Sequence, residues 1–209
     1  MGESDATATG PSMIVEGLLS TQRDDGAAHV APMGPVVSED FTRWTLRPFQ
    51  TSTTFKLLRS NPVGIFHIVD DVLPVVQAAL GQPLSLEFLP HAAGGQILTS
   101  ACRWFRLEIT DWDLSSIRSE AHATVHSSGH LRDFWGWNRA KHAVLEATIL
   151  ATRVHLLEQG EVEASLAKLE VAVTKTAGKR ELDAWKLLQN YFVEYYGHAD
   201  HTGFVDNKG

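Results

Sequence analysis

Arg47, Ser52, Thr53 and Thr54 place one guanidinium and three hydroxyls close together where a strand pattern hands over to a helix pattern. Groups of this kind at this spacing bind anions. A helix N-terminus leaves backbone N–H groups unpaired and carries about half a positive charge. Hydroxyls at the same place add donors, and an arginine at the end of the preceding strand offers a planar fork to two phosphate oxygens. Read alone, the stretch slightly favours a capped helix with Arg47 paired to a surface carboxylate.

A second unusual arrangement is Asn138-Arg139-Ala140-Lys141-His142, which opens a long helical pattern. Cations in a first helical turn oppose the dipole and repel the free N–H groups. An anionic ligand there, or a carboxylate from elsewhere in the chain, must offset them, because Glu146 lies too far along the same helix. His122, His126 and His130 recur every four residues, which on a helix would suggest a zinc site. The surrounding Ala-Thr-Val pattern favours a strand instead, with His122 and His126 on one solvated face and His130 beyond Ser127-Ser128-Gly129, so no metal is assigned. Phe134-Trp135-Gly136-Trp137 either walls a pocket for a flat ring or packs the joint between two halves of the chain. His67, within an apolar run, reads as a hydrogen-bonded core or pocket-wall histidine rather than a base. No glycine-rich dinucleotide fingerprint, P-loop, His-Glu-x-x-His or Gly-x-Ser-x-Gly is present, so nucleophilic and nucleotide-hydrolysing chemistry has no positive support.

The elements that must hold these groups begin with a hairpin. Met13 to Ser20 and Ala28 to Val37 are strand-like and flank the Asp25-Gly26 turn. Pro32 and Pro35 cannot donate to a ladder and Gly34 has no side chain, so the second strand is expected to bulge or lie at an edge there. Such an edge exposes backbone to a ligand; equally, it protects an edge strand from aggregation. Phe41 to Leu46 alternates as a strand, Ser52 to Arg59 is a short helix, and Val63 to Val69 is a buried strand. Asp70 or Asp71 caps Val72 to Leu80. Gln82 to Gln96 reads as an irregular connection, followed by two strands, 102–112 and 118–126. About six strands and two short helices suggest a closed or nearly closed small barrel. From Asn138 the period is helical to Leu157, where Gly160 ends it; helices at 162–176 and 180–196 follow.

Length and composition fit this division. With 209 residues, 44% hydrophobic and six tryptophans, the chain can bury a sizeable core. A formal net charge of −7 argues against a general nucleic-acid binder. The single cysteine, Cys102, reads as a small buried hydrophobe, and its solitude fits a reducing compartment. No apolar run is long enough to cross a bilayer, and Met1 to Ser12 lacks a secretion pattern, so a cytoplasmic protein without membrane partners is expected. The expected organisation is a disordered N-terminus (1–12), a β-barrel domain (13–130), a C-terminal helical subdomain (131–198) and a polar tail (199–209), an α+β chain that is mainly β with an α appendage.

Taken in order, Met13-Ile14-Val15-Glu16, His29-Val30-Ala31-Pro32-Met33-Gly34, Leu46-Arg47-Pro48-Phe49 with Ser52-Thr53-Thr54, Val69-Asp70-Asp71, and Asn138 to Ala147 resemble an uncharacterised, archaeal-type family of FMN-binding split-barrel proteins. That family is similar in fold to flavin reductases and pyridoxamine phosphate oxidases. The resemblance covers Met13 to Tyr196. It implies a six-stranded antiparallel split barrel holding FMN without a covalent bond, as a homodimer with the flavin near the subunit interface. On the resemblance, Arg47, Ser52, Thr53 and Thr54 hold the phosphate, the backbone of Ala31, Pro32, Met33 and Gly34 lies beside the isoalloxazine ring, and Asn138 and Lys141 close the pocket. Catalytic residues stay unassigned, because flavin supplies the redox chemistry. The expected activity is FMN-dependent oxidoreduction of a small molecule, or of free flavin with a nicotinamide donor. A flavin-binding storage or sensing protein, and a histidine metal-binding module, are the alternatives.

Overall fold

A computed structural model describes residues 12–202. The expected disordered N-terminus therefore lies outside the described residues except for Ser12, and so does the expected tail beyond Thr202. The chain divides into two compact units: one of residues up to Val69 together with Leu86–Asp133, the other of Asp70–Ser85 together with everything from Phe134 on.

The first unit is a barrel. Its strands are β1 (Ser12–Ile14), β2 (Gly17–Gln22), β3 (Ala28–Met33), β4 (Val36–Ser38), β5 (Arg43–Leu46), β6 (Val63–Ile68), the short pair β7 (Phe88–Pro90) and β8 (Gln96–Leu98), β9 (Arg103–Asp113) and β10 (Glu120–His130). Helix α1 (Thr53–Ser60) lies between β5 and β6. The main sheet runs β1-β4-β5-β10-β9-β6-β2-β3, and every pairing is antiparallel. Chain connectivity forces this sheet to curl. Laid flat, β3 and β4 would stand six ladder steps, about 29 Å, apart at a spacing near 4.8 Å. Yet β3 joins β4 through Gly34-Pro35 alone, a link that reaches no further than about 11 Å.

Closure comes from one long hairpin. Residues 12–22 and 28–38 pair in an unshifted register, from Ser12 opposite Ser38 to Gln22 opposite Ala28. The hairpin bends at Val15-Glu16 and Gly34-Pro35, where Val15 N–H still donates to the Pro35 carbonyl at 3.1 Å. One half extends the ladder beside β6 and the other the ladder beside β5. Counted with its bent strands whole, the sheet has the six strands expected of a split barrel. Of the bulge or edge expected near Pro32, the structure shows the edge: Leu18 pairs with Pro32 in register, and β3 ends at Met33 as the outer strand of the sheet. The Gly34-Pro35 interruption is accommodated by the bend.

Alternation fills the interior. Trp44 and Leu46 of β5 are buried with Leu19, Phe66, Phe105 and Leu107, and Leu58 of α1 joins the same cluster. The Trp44 ring centroid lies 5.1 Å from that of Phe66 and 5.0 Å from that of Phe105. Burial of aromatic side chains of this size contributes roughly 1.5–3 kcal/mol each. His67, on β6, is buried in the same unit; its Nδ1 faces the Leu18 carbonyl at 3.2 Å and its Nε2 accepts the Leu98 N–H at 3.0 Å. The stretch 82–96 is less irregular than expected, because β7 lies within it and pairs with β8, which begins at its last residue.

The second unit is helical: α2 (Leu73–Ala79), α3 (Arg139–Thr152), a 3-10 turn at Val154–Leu156, α4 (Gln159–Thr176) and α5 (Lys179–Thr202). Val72, Leu73 and Val76 of the α2 region are buried with Val144 and Ala147 of α3 and Trp185 and Leu188 of α5. Segment 70–85, expected inside the barrel domain, therefore belongs to the helical unit. Asp71 accepts the Leu73 N–H at 3.0 Å and pairs with Arg180 of α5, while Asp70 accepts the Trp135 N–H at 3.0 Å. Three helix ends depart from expectation. The period continuous to Leu157 breaks at Arg153, whose N–H bonds three residues back to Leu150. Gly160 sits inside the first turn of α4, and α5 continues past Gly197 to Thr202.

Candidate functional site

The segment after β5 is held rigidly. Ser119 donates to the Pro48 carbonyl through Oγ at 2.8 Å and through its N–H at 3.1 Å. Gln50 Nε2 donates to the Leu114 and Ser116 carbonyls at 3.1 and 2.7 Å. Arg118 Nε donates to the Arg47 carbonyl at 3.1 Å, and its guanidinium lies 5.5 Å from the centroid of the Phe49 ring. The β9–β10 loop thus fixes the backbone that leads from Arg47 into α1.

Arg47 itself is different. Its Nε is buried and makes no hydrogen bond, and among the described residues its guanidinium enters no ion pair. A buried charged donor without an acceptor costs a few kcal/mol. An anion at this place removes that cost. The surface-carboxylate reading of Arg47 is not what the structure shows.

Five residues on, Ser52 is the N-cap of α1, its Oγ accepting the Phe55 N–H at 3.1 Å. Its hydroxyl proton is still available to donate. Helix geometry leaves the Thr53 and Thr54 amides without intrahelical acceptors, and no acidic residue occupies the first turn. Thr53 is exposed. Thr54 is buried, and its Oγ1 lies 3.2 Å from Nε2 of His29 on β3. Burial and, second, the Arg23 charge lower the pKa of His29, which favours the neutral ring. His29 is a site residue that the sequence reading missed. Its register was readable from the Asp25-Gly26 turn, but its meeting with Thr54 depends on how α1 packs.

Ala31, Pro32 and Met33 lie on β3, which pairs only with β2 among the described residues. Its outer edge therefore carries unpaired backbone groups, and Gly34 follows at the bend. A Cβ on Gly34 would fall 2.7 Å from a carboxylate oxygen of Glu16, the far end of a side chain that can swing away. His29, near the start of β3, links that strand to the first turn of α1, while Ala31 to Gly34 lie further along it, at and beyond its far end.

Asn138 and Lys141 belong to the helical unit. Asn138 Oδ1 caps α3 by accepting the Lys141 N–H at 3.1 Å. Its Nδ2 donates to the Thr176 carbonyl at 3.0 Å, and Ala140 N–H donates to Thr176 Oγ1 at 3.0 Å. Thr176 is the last residue of α4, so the negative end of one helix meets the positive end of the next. That arrangement offsets Arg139 and Lys141, which form no ion pair with a carboxylate among the described residues. Both ends of the Asn138 amide are already engaged, which gives it a capping role within its own unit. Lys141 is half-buried and forms no ion pair among the described residues.

The three histidines of β10 have separate neighbours. His122 faces Thr45 at 3.3 Å, His126 faces Glu108 at 3.4 Å and His130 faces Asp133 at 3.3 Å. Among the described residues no group of three or more histidine, cysteine or acidic side chains could hold a metal ion. In the aromatic stretch before α3, Trp137 stacks on His142 with centroids 5.4 Å apart, while Trp135 and Trp137 are 85% and 86% exposed. No described helix is long and apolar enough to cross a membrane.

A six-stranded antiparallel split barrel with an anion-ready corner, followed by a helical unit, defines the structural class. Comparison places the chain within it. Residues 15–131 match the family described as protein of unknown function (DUF447), N-terminal domain, and residues 138–190 match the companion DUF447 description; the chain belongs to this family. No curated protein matches. Among solved structures, the chain is similar to an FMN-bound DUF447 protein from Methanosarcina mazei, with a TM-score of 0.73 at 23% identity over 85% of this chain and 94% of that one. It is also similar to the flavin reductase HpaC in complex with NADP+, with a TM-score of 0.50 at 11% identity over 61% and 84%. A styrene monooxygenase flavin reductase from Pseudomonas putida gives 0.47 at 16% identity over 57% and 81%. At 23% identity, the likeness to the Methanosarcina mazei protein establishes the fold.

Proposed function

We propose that the barrel unit binds FMN without a covalent bond and that the protein is an FMN-dependent oxidoreductase, similar to flavin reductases, that acts on a small molecule as a homodimer. The observation that carries the proposal is the buried, partnerless Arg47 Nε on a rigid segment leading into the N-terminus of α1. A dianionic phosphate matches that set of donors. Family membership and the FMN held by the Methanosarcina mazei protein of the same fold support the choice of anion.

On this reading Arg47, the Ser52 hydroxyl and the amides of Thr53 and Thr54 hold the phosphate, and the open β3 edge from Ala31 to Gly34 lies along the ring. Bound flavin supplies electron transfer between a nicotinamide donor and the small-molecule acceptor. The chain's residues bind, orient and shield, and no side-chain acid or base is needed. Asn138 enters only as the cap of α3.

The experiment is direct. Purified protein titrated with FMN develops a bound flavin spectrum, and denaturation releases FMN. Anaerobic NADH or NADPH then bleaches the bound flavin. Protein that takes up no FMN overturns the proposal. A bound flavin inert to both nucleotides makes the protein a flavin carrier or sensor without this turnover.

A further inference from the structure

His29 stands between two groups whose hydrogen-bonding roles fix its own. Arg23 Nη2 lies 3.3 Å from its Nδ1, and a guanidinium can only donate. Nδ1 therefore accepts, and in the neutral ring the proton sits on Nε2. That Nε2 faces Thr54 Oγ1 at 3.2 Å, so the hydroxyl oxygen accepts from the imidazole. The opposite assignment would set Nδ1–H against an arginine N–H.

The consequence falls on Thr54. With its oxygen engaged by His29, the hydroxyl must give its own proton elsewhere. A threonine in a helix often donates to the carbonyl four residues back; here that is Gln50, and no such bond forms among the described residues. Thr54 stands in the first turn of α1, where the Arg47 segment enters. Thr21, directly across the ladder from His29, ends in a buried hydroxyl without a hydrogen-bond partner, so this corner holds more polar groups than it satisfies internally.

We propose that His29 is a positioning residue of the phosphate grip, set by Arg23 so that it donates to Thr54 and leaves the Thr54 hydroxyl proton for a phosphate oxygen. The inference rests on the flavin phosphate reading above. It adds a residue on the hairpin to a grip otherwise built from the β5–α1 segment, and ties the phosphate to the strand that flanks the ring.

The test compares FMN with riboflavin, which lacks the phosphate, on the full chain. His29→Leu is expected to weaken FMN binding about three- to tenfold, the worth of one hydrogen bond, while riboflavin binding stays unchanged. His29→Gln restores FMN binding, because its amide can accept from Arg23 and donate to Thr54. Thr54→Val, nearly isosteric, gives the same selective loss, and adding His29→Leu to it gives no more. A His29→Leu variant that binds FMN as tightly as wild type, or that loses FMN and riboflavin equally, overturns this inference alone. Wild-type protein that takes up no FMN overturns the flavin reading and this inference with it.

Discussion

His67 accepts the backbone N–H of Leu98 on its Nε2 at 3.0 Å, an internal cap that ties β6 to the β7–β8 ribbon. An acceptor at Nε2 requires the proton on Nδ1, where the Leu18 carbonyl takes it at 3.2 Å. The ring is thus neutral by construction. Burial pushes its pKa down to about 4, against which the Leu18 carbonyl acts only partly.

Stability should follow this titration. The folded pKa is depressed, so the contribution is full above the ordinary value of 6.5 and is lost as pH falls from there toward 4. A shift of that size corresponds to roughly 3 kcal/mol. Denaturant titrations of wild type and His67→Gln at pH 7.5 and pH 4 measure it: wild type should lose about that much more than the variant. Equal losses would mean that the ring is not held neutral.

Gly17 lies where β2 passes closest to β6. A Cβ there would fall 2.4 Å from the His67 carbonyl oxygen and 2.6 Å from the Phe66 ring. Neither backbone nor a fully buried ring can retreat cheaply, so Gly17→Ala should cost about 1–3 kcal/mol. At Gly34 the obstacle is the end of the Glu16 side chain, which can swing away. Gly34→Ala should therefore be the milder change. Paired thermal melts decide the order.

Much of this architecture can be read in the chain before any coordinates. The Asp25-Gly26 turn sets the hairpin register, alternation puts Trp44 and Leu46 inside, and the conflict of Arg139 and Lys141 with the helix dipole is visible at once. What the sequence hides is who answers whom across distance. Barrel closure depends on a hairpin continuing in register through Gly34-Pro35, where local signals predict interruption. The α2 segment looks like a barrel insertion because its buried face meets partners more than sixty residues later. Strands β7 and β8, three residues each, are too short to show a period. In the site, Arg47 and Ser52 announce themselves by type, but His29 matters only through its contact with Thr54.

Thr176 answers the positive start of α3 twice, by its carbonyl and its hydroxyl. Asn138→Ala removes the cap acceptor and the donor to that carbonyl together, and should destabilise the helical unit by about 0.5–2 kcal/mol. Thr176→Val, which removes only the hydroxyl acceptor, should cost less. Helix-specific hydrogen exchange near Ala140 and Lys141 checks the assignment. If Asn138→Ala leaves exchange and melting unchanged yet abolishes FMN binding, Asn138 closes a pocket instead.

Arg47 offers the sharpest prediction because its two consequences carry opposite signs. Without an anion, its buried Nε is a donor that the fold leaves unsatisfied, so Arg47→Met, which keeps much of the apolar stem, should leave the ligand-free protein as stable as wild type or more so. With FMN present the order should reverse. Loss of charge-assisted phosphate contacts weakens binding by about 1.5–3 kcal/mol, or roughly ten- to a hundredfold. Riboflavin, lacking the phosphate, should bind both proteins alike. Melting temperatures with and without FMN read out both effects in one experiment. A variant that is destabilised without ligand and shows the same FMN-induced rise as wild type would make Arg47 a structural residue and move the phosphate elsewhere.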